Sequence, residues 1–258
     1  MVWSAADLRA LDAIRVVPGE IVYAFVSLAG EPSSIDEALL DDEESDRSRR
    51  FVRRSDRCHF VLAHVALRLF LARCLGVDPA AVTYERGLHG KPRLGQGLGP
   101  LQFNLSHAGK LGLLAAARNR ALGVDVEHVR DVGDVLEIAD QHFSDQERVG
   151  LRTLPPIERQ AGFFRCWTRK EAVIKACGEG LSCRLDSFDV DLAPGSPAAL
   201  RRFGGRCGRE AGLALRDLAT PPGYVAAGAV AATASAPISW RLLSTGHGQG
   251  RARMDSAT

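Results

Sequence analysis

Two long helix-patterned segments constrain the fold of this chain more than any other feature. From Phe51 to Leu75, apolar residues such as Phe60, Val61, Val65, Leu69 and Leu71 recur at helical spacing, and the pattern closes at Gly76 before Asp78-Pro79. From Ile157 to Cys177 a second such segment carries Phe163, Phe164, Val173, Ile174 and Ala176 and ends at Gly178-Glu179-Gly180. Strand-like runs accompany each: Ile21 to Val26, Val82 to Glu85, Leu101 to Leu105 and Leu111 to Ala117 around the first, and Ala121 to Glu127, Leu185 to Leu192, Tyr224 to Ala231 and Ile238 to Leu243 around the second. This organisation predicts an α+β fold of two similar α/β halves, residues 1–119 and 120–243, with a Gly/Ser/Arg tail at 244–258 expected to be disordered. At 258 residues and 46% hydrophobic, the chain can bury cores of that size.

Composition narrows the function classes. Lys and Arg total 33 against 31 Asp and Glu, a balance that gives no footprint for nucleic acid. No unbroken apolar run approaches the roughly 18–20 residues of a membrane span, and Met1 to Asp7 lacks the basic start and apolar core of a signal peptide, so the expected location is the cytoplasm. The cysteines at 58, 74, 166, 177, 183 and 207 form no C-x-x-C pair, which predicts free thiols rather than a zinc site or a disulfide framework.

Smaller elements punctuate the rest. Residues 1–19 read as a helix capped by Ser4 and ended by Pro18-Gly19, Ser144-x-x-Glu147 is a capping box, and 194–222 is loop-rich. Leu111 to Ala117 returns through a hairpin-like turn at Asn119-Arg120 into Ala121 to Glu127 as its partner. On that return strand, side-chain alternation sends Val124 and Val126 one way and Asp125 and Glu127 the other. Two like charges on a buried face need a cation, and hard oxygen donors favour Mg²⁺; an exposed edge strand is the plainer alternative. In the second long helix, Trp167, Glu171 and Lys175 follow one another at i, i+4 and i+8, a carboxylate one turn before an ammonium, which taken alone also describes a surface ion pair. Lys91 projects from the Gly87 to Arg93 loop, and Ser106-His107 stand where a strand runs into a loop. Asp41 to Glu44 meet Arg47, Arg49, Arg50, Arg53 and Arg54, either a solvated ion-paired face or an anion site.

Taken together, Gly90-Lys91-Pro92, Asn104-Leu105-Ser106-His107, Gly123-Val124-Asp125-Val126-Glu127, Trp167 to Lys175 and Gly178-Glu179-Gly180-Leu181 resemble the ordered motifs of 4'-phosphopantetheinyl transferases, the surfactin-synthetase-activating class in particular, over about residues 20 to 243. The resemblance implies a pseudo-two-fold monomer that moves phosphopantetheine from coenzyme A to a serine of an apo acyl or peptidyl carrier protein, releasing adenosine 3',5'-bisphosphate and requiring Mg²⁺. It implies Asp125, Glu127 and Glu171 as Mg²⁺ ligands, with Glu127 also as the base, Lys175 on the phosphate and Lys170 acting electrostatically beside it. Lys91, Pro92, Ser106 and His107 match coenzyme A contacts, and Arg53, Arg57 and His59 are candidates for the 3'-phosphate, His59 standing where the family often has arginine. Trp167 is expected to pack the helix against the carboxylate strand, and an acidic carrier would favour a basic and apolar patch near the site. A non-catalytic module binding coenzyme A or a carrier, and a metal-dependent phosphoesterase, are the competing functions.

Overall fold

The chain builds one run of elements twice. A computed structural model describes residues 1–87, 89–178, 180, 183–203, 212–232 and 237–244. Strand β1 (Val2–Trp3) and helix α1 (Ala5–Ala10) come first. The first run is β2 (Glu20–Ser27), α2 (Ser34–Glu37), α3 (Asp42–Arg49), α4 (Arg54–Leu75), the hairpin β3 (Tyr84–Arg86) and β4 (Pro92–Leu94), then β5 (Leu101–Ala108) and β6 (Leu111–Arg118). The second is β7 (Leu122–His128), α5 (Val135–His142), α6 (Asp145–Thr153), α7 (Pro156–Cys177), the pair β8 (Phe188–Val190) and β9 (Leu200–Phe203), then β10 (Leu213–Asp217) and β11 (Tyr224–Ala231). The pairing repeats as well: β6 lies between β2 and β5 in one sheet, and β11 between β7 and β10 in the other. This is the α+β class with two similar halves. The final strand, β12 (Ser239–Leu242), which the sequence division groups with the second half, runs parallel to β2 in the first sheet.

Alternation along the strands sorts the side chains into layers. Val22, Ala24 and Val26 of β2 share a core with Val61, Val65 and Leu69 of α4, while Ile21, Tyr23 and Phe25 join Leu113 and Ala115 of β6 and Val124 and Val126 of β7 in a core between the sheets. The layers are therefore α4, first sheet, second sheet, α7. Leu111 to Ala117 is uniformly apolar because both its faces are covered. The expected hairpin to Ala121–Glu127 is not formed: Asn119, at φ 54°, turns the chain from β6 into the other sheet, where β7 pairs with β11. Two strands that are apolar on the faces they turn toward each other serve as facing layers of one core, a pattern that in sequence looks the same as neighbours in one sheet.

Each long helix is tied down by the same device. Glu44 closes the capping box of α3 with Asp41 and accepts from Arg68 Nε at 2.9 Å, deep in α4. Glu147 closes the capping box of α6 with Ser144 and lies 2.8 Å from Lys170 Nζ, deep in α7. Arg68 and Lys170 stand the same distance before the left-handed glycines, Gly76 (φ 71°) and Gly178 (φ 73°), that end their helices.

Several local expectations change. The first helix keeps its Ser4 cap but stops at Ala10. Leu185–Ser187 is a 3-10 turn ahead of β8, and the stretch read as loop contains β9 and β10. Ser106 and His107 lie inside β5 rather than beyond it. By length and composition alone α4 could cross a membrane, with a mean hydropathy of 1.6, but 78% of that window is buried inside the protein. Cys58, Cys74, Cys166 and Cys177 form no disulfide, but Cys183 is in one, contrary to the expectation of free thiols throughout. The tail from 245 lies outside the described residues.

Candidate active site between the halves

Helix α7 lies so close on β7 that only glycine fits at 123, since a Cβ there would stand 2.2 Å from the Ala172 carbonyl oxygen and 2.3 Å from the Ala176 nitrogen. The same strand face then carries Asp125 and Glu127 toward Glu171 and Lys175. Lys175 Nζ donates to Asp125 Oδ1 at 2.5 Å and to Ser106 Oγ at 3.1 Å, while Ser106 Oγ donates to Asp125 Oδ1 at 2.8 Å. Two side chains of β5 reach the edge of β7 that faces away from β11. Val124 N donates to Asn104 Oδ1 at 2.8 Å and Val126 N to Ser106 Oγ at 3.4 Å. Asp125 is 4% exposed, and its Oδ2 has no hydrogen-bond partner.

The charges in this pocket do not balance. Burial raises the pKa of Asp125 against the pull of Lys175, raises Glu127 with added repulsion from Asp125, and raises Glu171, which Asp125 also repels. The one ammonium against Asp125 and the more distant Arg130, 3.4 Å from Glu127 Oε2, leave three carboxylates short of positive charge. Hard oxygen donors and an orphaned buried Oδ2 fit a divalent cation such as Mg²⁺. As the side chains stand, with Lys175 on Asp125, no three His, Cys, Asp or Glu groups among the described residues are gathered tightly enough to hold an ion.

Cavities open on both sides of the carboxylates. Glu171 and Lys175 line one of about 580 Å³ together with Lys91, Pro92 and Asn104. Glu127 and His107 line another of about 530 Å³ with His59, Phe60 and Phe51. Because neighbours in a strand point oppositely, Ser106 turns to Asp125 while His107 joins the cavity flanked by α4. The His107 pKa is lowered, first by partial desolvation and then by the positive charges of His64, His59, Lys175 and Arg47. Arg47 stands over the Phe60 ring, 5.2 Å from its centroid, beside Arg50 and Arg86 in a further cavity of about 640 Å³.

A family model described as the 4'-phosphopantetheinyl transferase superfamily matches residues 121–227, and one described as 4'-phosphopantetheinyl transferase, N-terminal, matches 33–119. The 4'-phosphopantetheinyl transferase HetI of Nostoc sp. is 37% identical over 166 residues, 64% of this chain and 70% of the relative. The chain belongs to the 4'-phosphopantetheinyl transferase family. The 4'-phosphopantetheinyl transferase Sfp of Bacillus subtilis is 30% identical over 171 residues, 66% of this chain and 75% of that protein, and the transferase is of the Sfp-like class. The AcpT transferase of Salmonella typhimurium is 32% identical, over 66% of this chain and 81% of its own length.

Set against this geometry, the residues expected in the transferase site divide. Asp125, Glu127, Glu171 and Lys175 are brought together, and Pro92, His59 and His107 line the cavities beside them. Lys170 does not join them. Its ammonium is fully buried on the far side of α7, held by Glu147 and by the carbonyls of Leu185 (2.7 Å) and Phe188 (2.5 Å), because consecutive helical residues diverge by roughly 100°. Arg53 is exposed at the N-cap of α4 and Arg57 donates to Glu37 Oε1 at 2.8 Å; neither lines the His107 cavity. The Ser106 hydroxyl is spent on Asp125, Lys175 and Val126 N, so it frames the site rather than reaching a ligand. Trp167 packs on Phe163 and His142, at 5.8 and 5.7 Å, setting α7 against α5 instead of β7. Arg47 belongs to the charged run that the sequence leaves open between a solvated face and an anion site; its place over Phe60 depends on how α3 packs on α4, which local sequence does not show.

Proposed function

We propose that the transferase takes 4'-phosphopantetheine from coenzyme A and attaches it to a serine of an apo acyl or peptidyl carrier protein, releasing adenosine 3',5'-bisphosphate. The observation that carries this reading is the undercompensated trio Asp125, Glu127 and Glu171 facing Lys175 between two cavities, with Asp125 Oδ2 unpartnered. Asp125, Glu127 and Glu171 would hold Mg²⁺, which supplies neutralisation of charge on the departing phosphate. Lys175 offers its ammonium to the transferred phosphoryl group. His107 and His59 line the second cavity, within reach of the positive field of Arg47 and Lys175, surroundings that suit the 3'-phosphate. The serine oxygen forms the new P–O bond as the bond to the adenosine-bearing phosphate breaks, and Glu127, which lines the second cavity, takes the hydroxyl proton.

Incubation with coenzyme A, Mg²⁺ and a panel of apo fatty-acid, polyketide and peptide carriers, read by intact mass, should show a carrier gaining one phosphopantetheine. No gain across the panel would refute the reading. Cleavage of coenzyme A at full rate without any carrier would assign the site to a phosphoesterase instead.

A further inference from the structure

Lys91 comes from the first half, yet both atoms its ammonium grips belong to the second. Its Nζ donates to the Leu122 carbonyl at 2.7 Å and to the Lys175 carbonyl at 2.6 Å. Leu122 opens β7, the strand of Asp125 and Glu127, and Lys175 lies in the last turn of α7. Carbonyls in that turn have no intrahelical partner. Gly178 N takes the Ile174 carbonyl at 3.0 Å, and Lys91 takes the next one along. A cation there also meets the negative end of the helix dipole.

The loop is shaped to deliver it. Gly90, at φ 80°, lets the chain turn, with Gly90 N donating to Gly87 O and Gly87 N to Lys91 O, each at 2.9 Å. The lysine stem then runs past Gly178, where a Cβ would stand 3.5 Å from Lys91 Cδ. Two of the three ammonium donors are committed to backbone, so this side chain is built to hold protein before it holds a ligand.

We infer that Lys91 is a positioning residue, capping α7 from the opposite half and fixing Glu171 and Lys175 over Asp125. The kinetic part of its test rests on the transfer reading above; the exchange part does not. In the full chain, Lys91→Met should lower kcat by roughly ten- to hundredfold while the KM for coenzyme A moves by less than about threefold, the mark of misplaced groups rather than a lost contact. Without substrate, amide hydrogen exchange at residues 174–178 should quicken in Lys91→Met and recover in part in Lys91→Arg, which keeps a charged donor. A raised KM with unchanged kcat and unaltered exchange would overturn the inference and make Lys91 a donor contact. If the wild type labels no carrier, the transfer reading fails and exchange still decides the role of Lys91. If Lys91→Met does not fold, Lys91→Arg against Lys91→Gln carries the same comparison, with equal exchange in the two overturning it.

Discussion

The first half has the same scaffold as the second without its chemistry. Where β7 turns Gly123, Asp125 and Glu127 toward α7, β2 turns Val22, Ala24 and Val26 toward α4. Directly after the buried cation, α4 has Leu69 where α7 has Glu171, and one turn on it has Arg73, bound to the carbonyls of Leu8 and Arg9, where α7 has Lys175. The shared parts are the sheet order, the capping-box glutamate, the buried cation and the left-handed terminal glycine. What both halves have is architecture, and what only one has is chemistry. Lys170 falls on the architectural side because Arg68 fills its place in a half that carries none of the carboxylates.

The largest effect should come from the face where the halves differ. Asp125→Ala or Glu171→Ala should cut carrier labelling by about a thousandfold or more, the scale on which electrostatic stabilisation of transferred charge is felt, while far-ultraviolet circular dichroism stays native. Near-wild-type labelling by either variant would remove that carboxylate from the site and with it the distinction between the halves.

The shared device predicts the opposite kind of loss. Lys170→Met and Arg68→Met each take a cation from a buried glutamate, which typically costs about 3–5 kcal/mol, and denaturant unfolding should find a loss in both, the smaller in Arg68→Met because Glu44 keeps His64 at 2.7 Å. If Lys170→Met spared stability but lost transfer, the lysine would return to the chemistry that the motif resemblance assigns it.

How much of this was legible in sequence follows from the range of the interactions involved. The long helices and their glycine ends rest on periodicity and local backbone conformation, so Gly76 and Gly178 are read correctly. Asp125 and Glu127 share a face because strand alternation is local too. Lys170 is misplaced because its partner, Glu147, sits a whole helix away, and Ser106 because the hydroxyl is consumed by a strand of the other sheet. The turn at Asn119 is visible, but which sheet the chain enters next depends on β11, about a hundred residues later. Arg53 and Arg57 stand in a charged run whose members differ only in what each one faces.

The smallest effect tests whether Glu171 is held for function at a cost to folding. Its pKa is raised in the folded protein, so over the window between its ordinary and its raised value the native state binds more protons than the unfolded one and stability falls as pH rises. Above that window the carboxylate is ionised in both states and the cost is fully present. Glu171→Gln should therefore raise the metal-free melting temperature at pH 7–8 by a degree or two, and the gain should vanish when the pH drops below the ordinary carboxylate range of about 4. If the three carboxylates hold Mg²⁺ as proposed, added Mg²⁺ should lift the wild type past the variant, since Gln supplies no charged oxygen to the ion. Leu69→Met, at the matching place in α4, gives the control: a change in packing alone, with no dependence on either pH or Mg²⁺. A Glu171→Gln variant that is less stable at neutral pH, or that responds to Mg²⁺ as the wild type does, would place Glu171 with the architecture and leave the carboxylates of β7 as the whole of the difference between the halves.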